Sequence, residues 1–179
     1  MGATLLTFEE FELLPDRIGK RELLNGELIE LPLAEYLHTV IAHRIFLDLH
    51  AALDSAHARK EATGLGAAHI GVGYKLPGDS FVRPDVSVTH SGQAVQRYLE
   101  GAPAIAVEII SPSNTVEEMD LKTKLYYQSG AREVWRVHRK TRHVSVHQPG
   151  ESHELGEDES IASPLLPGFA LSVREILGE

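Results

Sequence analysis

The residue pattern predicts an α/β (α+β) chain folded as one domain, 1–179. Three observations carry that expectation. Segments of strand-like, strand-like, helical and strand-like character follow one another over 84–138; a helical period runs over 34–57; and 179 residues with 42% hydrophobic content suffice for one well-buried core but not comfortably for two.

The elements follow in order. Thr7 with Glu10 has capping-box spacing and predicts a short helix over 7–14. Two strand-like arms flank Asn25-Gly26, the dipeptide of a two-residue hairpin turn, and Pro32 ends the second arm. Apolar residues at 37, 41, 45, 49, 52 and 53 then keep the period of a long amphipathic helix, 34–57, packed on a sheet. Gly64 to Gly73 carries a strand, and Pro77-Gly78-Asp79 a turn. Strands are expected at 84–89 and 103–111, the second apolar on both faces. Thr115 and Glu118 cap the next helix, which Gly130 stops. A hairpin at 132–138 and 142–148, a polar mobile stretch at 149–159, and a turn before a short last helix complete the chain.

Composition excludes several chemistries. The absence of cysteine removes disulfides, thiolate catalysis and Cys-ligated zinc, and suits a reducing cytoplasm. No apolar run is long enough to span a bilayer, so a soluble cytoplasmic chain without membrane partners is expected. A net charge of −9 gives no general attraction to phosphate backbones. Local positive charge is confined to Lys20-Arg21 and to Arg132, Arg136, Arg139, Lys140 and Arg142, which also suit a charged strand edge.

Against that background two carboxylates stand out: Asp85 in Arg83-Pro84-Asp85-Val86-Ser87-Val88 and Glu108 in Ile105-Ala106-Val107-Glu108-Ile109-Ile110. A charge inside a run of Val and Ile loses water when the strand packs, so it must be paired, bind a metal or shift its pKa. If the two strands are adjacent the carboxylates converge, and hard cations such as Mg²⁺ or Mn²⁺ are the expected ligands. On the following helix, Lys122 falls within the apolar arc of Met119, Leu125 and Tyr126 while Lys124 points away. An inward lysine can position an attacking water or neutralise charge growing on a phosphoryl group. The structural alternative is an ordinary helix ion pair with Glu118, four residues earlier.

Other residues invite a role. His38 opens the long helix and Glu27 lies on the hairpin; each is a possible addition to the site, weighed against a packing histidine and a solvated strand residue. His43, His50 and His57 repeat every seven residues and so stand about 10 Å apart along a helix, too far to share one metal. Tyr126, Tyr127 and Trp135 fit core packing better than base stacking. Ser111 and Ser113 lack a glycine-flanked elbow, which discounts a serine nucleophile.

The linked series Asn25-Gly26-Glu27-Leu28, His38, Arg83-Pro84-Asp85-Val86, Val107-Glu108-Ile109-Ile110-Ser111-Pro112-Ser113-Asn114, then Lys122, Tyr126, Gly130, Glu133 and Trp135 resembles the bacterial family labelled Uma-two, described as "putative restriction endonuclease", within the PD-(D/E)XK nuclease superfamily. The resemblance covers about residues 7–177. It implies a restriction-endonuclease-like fold, a central mixed β-sheet flanked by helices, and a Mg²⁺-dependent phosphodiester hydrolase acting on nucleic acid, DNA above all. Asp85 then matches the metal-binding aspartate, Glu108 the acid of the next strand, and Lys122 the helix lysine. The superfamily places a lysine two residues past the glutamate, where this chain has Ile110. Three readings result: a metal-dependent endonuclease, a catalytically silent nuclease-like binding or dimerisation domain, and a hydrolase using the two acids without metal. A homodimer is expected, its contact formed by an exposed apolar stretch at 162–171 or by the 132–148 hairpin.

Overall fold

The computed structural model describes residues 5–16, 18–61 and 64–178. Helix α1 (Phe8–Glu12) starts at Thr7 with both arms of the capping box formed. Strands β1 (Lys20–Leu24) and β2 (Glu27–Leu31) pair antiparallel around Asn25 and Gly26, whose φ values of 49° and 83° are those of a two-residue turn with both positions left-handed. The long helix α2 (Tyr36–Ala58) buries Ile41, Ala42, Ile45, Leu49, Leu53 and Ala56 along one stripe.

The central sheet has six strands: β3 (Leu65–Ile70), β6 (Val86–His90), β8 (Ile105–Ile110), β9 (Glu133–His138), β10 (His143–Gln148) and β11 (Glu151–Gly156), in the order β11-β10-β9-β8-β6-β3. It is mixed, because β8 and β9 run parallel through the crossover helix α3 (Val116–Gln128) while the other pairs are antiparallel. A second sheet joins the first hairpin to β4 (Tyr74–Leu76), β5 (Ser80–Val82) and β7 (Leu99–Glu100), in the order β2-β1-β5-β4-β7.

Strand alternation assigns the two faces of the central sheet. Val86, Val88, Ile105, Val107, Ile109, Trp135 and Val137 pack with α2 and with β12 (Ser160–Ser163), β13 (Leu166–Ser172) and α4 (Val173–Leu177). Ala106 and Val134 turn the other way, toward Leu125 and Tyr126 of α3 and toward Leu24, Tyr74, Leu76 and Val82 of the second sheet. Burial on both sides explains why β8 reads as an unbroken apolar run. Glu108 shares the face of Ala106, so it looks at α3 and not at α2.

Two expectations need correction. Residues 149–159 are not a mobile loop throughout: β11 closes the sheet, and its charged residues suit an open edge strand. The turn at Pro77-Gly78-Asp79 forms as expected, and it joins two strands, β4 and β5, too short to show a period. The stretch at 162–171 is the β12–β13 hairpin with Leu166 and Leu171 in the core, and β9 and β10 lie inside the sheet between β8 and β11. The 162–171 stretch is therefore not the wholly exposed apolar segment expected of it. Among the described residues no helix is long and apolar enough to cross a membrane.

Candidate active site

The site forms where the end of the central sheet meets β1 and α3. The β6–β8 register pairs Val86 with Val107, and the ladder continues one step further through the Asp85 N–H, which donates to the Val107 carbonyl at 3.0 Å. That step sets Asp85 opposite Glu108. Strand β1 adds Lys20 and Glu22, two residues apart and so on one face, and α3 packs beside it. The inward stripe of α3 delivers Lys122 and Tyr126.

Lys122 Nζ lies 2.8 Å from Glu22 Oε2 and 2.8 Å from Glu108 Oε1. The Tyr126 hydroxyl donates to the same Glu108 oxygen at 2.6 Å, and the Arg83 backbone N–H to Glu22 Oε1 at 2.6 Å. Asp85 is fixed by the Ile109 N–H at 2.8 Å on Oδ2 and by His38 Nε2 at 3.2 Å from Oδ1. Lys20 Nζ sits among all three acids, 3.4 Å from Glu22, 3.4 Å from Asp85 and 4.0 Å from Glu108. Glu22, Glu108 and Lys122 are nearly inaccessible, whereas the side chains of Asp85, Lys20 and His38 keep 14%, 20% and 14% exposure.

The electrostatics follow from these neighbours. Burial works against the Glu22 carboxylate, yet Lys122 and Lys20, with the hydrogen bonds from Lys122 and Arg83, hold it below the ordinary carboxylate range. Asp85 is likewise held low against burial by Lys20, His38 and the Ile109 N–H. At Glu108 burial wins over the attraction of Lys122 and Lys20, with Asp85 and Glu22 adding repulsion, so its pKa is raised. Burial disfavours the Lys20 ammonium, but Glu22, Asp85 and Glu108 raise it further than burial lowers it. Burial and the nearby Glu108 carboxylate keep the Tyr126 phenol protonated well past its usual range.

A cavity of about 520 Å³ opens onto this cluster, lined by Lys20, His38, Asp85 and Glu108 at the acids and by residues 31–35 and 111–114 around them. Among the described residues no three His, Cys, Asp or Glu side chains form a ready cage for a metal. The donor set nevertheless suits Mg²⁺ or Mn²⁺, which take one or two protein carboxylates and complete their shell with water. Asp85 and Glu108 are the two carboxylates on the cavity that could hold such an ion, and the Lys20 ammonium beside them marks the space as one that favours positive charge.

The structure brings Asp85, Glu108, Lys122 and His38 together. It leaves Glu27 out: cross-strand pairing with Leu24 puts it on the face of Glu22 but at the turn end of the hairpin, exposed and away from the cavity. The third carboxylate is Glu22, and Lys20 and Tyr126 join it; sequence reasoning assigned none of these three to the site. The alternation Lys20-x-Glu22-x-Leu24 was the available signal, but only the docking of β1 against α3 says which face is inside. Glu118 does not hold Lys122; its side chain accepts from the Thr115 N–H in the capping box. Three of the five cations in the basic stretch have internal partners: Arg136 bonds to Met119, Asp120 and Thr123, Arg139 to Glu35, and Arg142 to Glu157 and the Gly178 carbonyl.

The fold has a solved counterpart. A chain described as "a putative nuclease belonging to DUF820", from Anabaena variabilis ATCC 29413, superposes with a TM-score of 0.79 over 96% of this chain and 97% of its own, at 20% sequence identity. No curated protein matches. The family Uma2, described as "Putative restriction endonuclease", matches residues 8–174. This chain belongs to the Uma2 family.

Proposed function

We propose that the chain is a metal-dependent endonuclease hydrolysing phosphodiester bonds of DNA. The observation that carries the proposal is the meeting of Asp85 and Glu108 at the foot of a cavity, with Lys122 held against Glu108. Membership of a family described as "Putative restriction endonuclease" supports it, as does a fold shared with a chain described as "a putative nuclease".

Mg²⁺ or Mn²⁺ bound by Asp85 and Glu108 would polarise the scissile phosphate and lower the pKa of a coordinated water. The chain's own residues do the rest. The Ile109 N–H and His38 lock the Asp85 carboxylate in one orientation. Tyr126 and Lys122 do the same for Glu108, and Glu22 fixes Lys122 from behind so that its positive charge stays at the edge of the site. Lys20, the more accessible of the two lysines, is the group placed to meet a phosphate oxygen entering from the cavity.

The test is cleavage of labelled DNA with Mg²⁺ and with chelator. Asp85→Asn and Glu108→Gln are expected to lose activity by about 100-fold or more, with folding kept; full activity in either variant, or in chelator, overturns the proposal. A second reading, a catalytically silent nuclease-like domain, draws on the way Lys20 already neutralises the acids. Its mark is the absence of Mn²⁺ binding heat by calorimetry.

A further inference from the structure

The nuclease reading leaves open which form of nucleic acid the site admits, and the cavity bears on that. Phosphates of a duplex lie on the outside of a stiff rod, and a protein that holds a duplex neutralises several of them with Lys and Arg. This chain offers its acids and its cations differently. Glu22 and Glu108 are 2% and 4% exposed and Asp85 is recessed beside them. The net charge is −9, Arg136 and Arg142 are spent on internal partners, and the cations on the cavity are few: Lys20, Arg83 and an Arg139 already paired with Glu35.

Much of the wall around the acids is apolar. Leu31 at the end of β2, Pro32 and Leu33 after it, with Ile70, Ile109 and Pro112, line the same cavity as Lys20 and Arg83, and the polar side chains of Ser111 to Asn114 close its rim. Its volume of about 520 Å³ lies in the range of small-molecule sites, the scale of one nucleotide. Apolar walls next to a small cationic and acidic centre suit one base face and one phosphate together, a combination a paired base cannot present.

We infer that the site takes an unpaired nucleotide, so that the substrate class is single-stranded or locally unpaired DNA. The base lies against the apolar wall and its phosphate is at Lys20 and the Asp85–Glu108 pair. The inference rests on the nuclease reading for its chemistry, but binding tests it separately.

Fluorescence anisotropy, with Ca²⁺ as the cation, would compare one labelled strand alone, in a perfect duplex, and in a duplex carrying an unpaired bubble. The strand and the bubble are expected to bind about tenfold or more tighter than the duplex, the scale of one base contact. A bubble equal to the strand marks recognition of any unpaired base; a strand well above the bubble marks a need for a free strand, and both support the inference. Leu33 is 68% exposed on the cavity wall, so Leu33→Glu is tolerated by the fold and should weaken binding of the strand about tenfold. Duplex binding as tight as the strand, or a Leu33→Glu variant with unchanged affinity, overturns the inference. Cleavage with Mg²⁺ separates the two claims: preferential cleavage of duplex sinks the unpaired substrate and keeps the nuclease, whereas selective strand binding without any cleavage does the reverse.

Discussion

At the scale of single residues, Lys20 occupies the position a divalent cation would compete for. Its ammonium is within 3.4–4.0 Å of three carboxylates and is the most exposed charge in the cluster. Lys20→Met removes that competitor, and Mn²⁺ affinity measured by calorimetry is expected to rise about tenfold or more; an unchanged or lower affinity means that Lys20 helps the cation rather than excluding it. Lys122 behaves differently because it is buried between Glu22 and Glu108. Lys122→Met strands two buried carboxylates and should cost about 3–5 kcal/mol in urea unfolding. Tyr126→Phe removes one hydrogen bond to Glu108 and should cost about 1–3 kcal/mol in the same measurement. Stability equal to wild type in Tyr126→Phe would mean that water replaces the hydroxyl.

At the scale of elements, α3 was legible almost to the residue. Thr115 and Glu118 announce its start, and the arc of Met119, Leu125 and Tyr126 places Lys122 inward. Thr115→Ala breaks the box and should lower stability by about 1 kcal/mol, read as a shift of the urea midpoint. Strand β1 was legible as a strand and opaque as a site. In Lys20-Arg21-Glu22-Leu23-Leu24 both faces contain charge, so alternation alone cannot say which goes inside. The answer comes from α3, whose Lys122 joins Lys20 and the Arg83 N–H in making a buried Glu22 tolerable. Glu27 shows the same limit from the other side: it shares the face of Glu22, but it lies at the turn end of the hairpin, away from the cavity.

For the whole molecule, charge at the site links to acid stability. Asp85 and Glu22 have folded pKa values depressed below their ordinary 3.8 and 4.5. A depressed carboxylate contributes stability that is complete above its unfolded pKa and is lost as pH falls toward the folded value. Thermal melting should therefore drop steeply as pH is lowered through about 4.5 and below, and Asp85→Asn should flatten that drop; an identical profile in the variant removes Asp85 as a source of it. Glu108 opposes the trend in this window because its pKa is raised, so it favours the fold on the acid side. Lys20, raised, contributes fully below its ordinary 10.5 and loses that contribution only as pH climbs past it.

The sequence by itself determined the order and type of most elements, and it marked Asp85, Glu108 and Lys122 as charges that a packed sheet could not leave alone. Period, caps and turn dipeptides are local, and burial of a charge in an apolar run is visible without coordinates. Only the tertiary structure decided the membership of the cluster. Glu22 and Lys20 come from a strand more than sixty residues before Asp85 and about a hundred before Lys122, and no local rule ties them to it. They are drawn in because three buried carboxylates need cations close by, and the docking of one hairpin against one helix is what sets those charges within reach of each other.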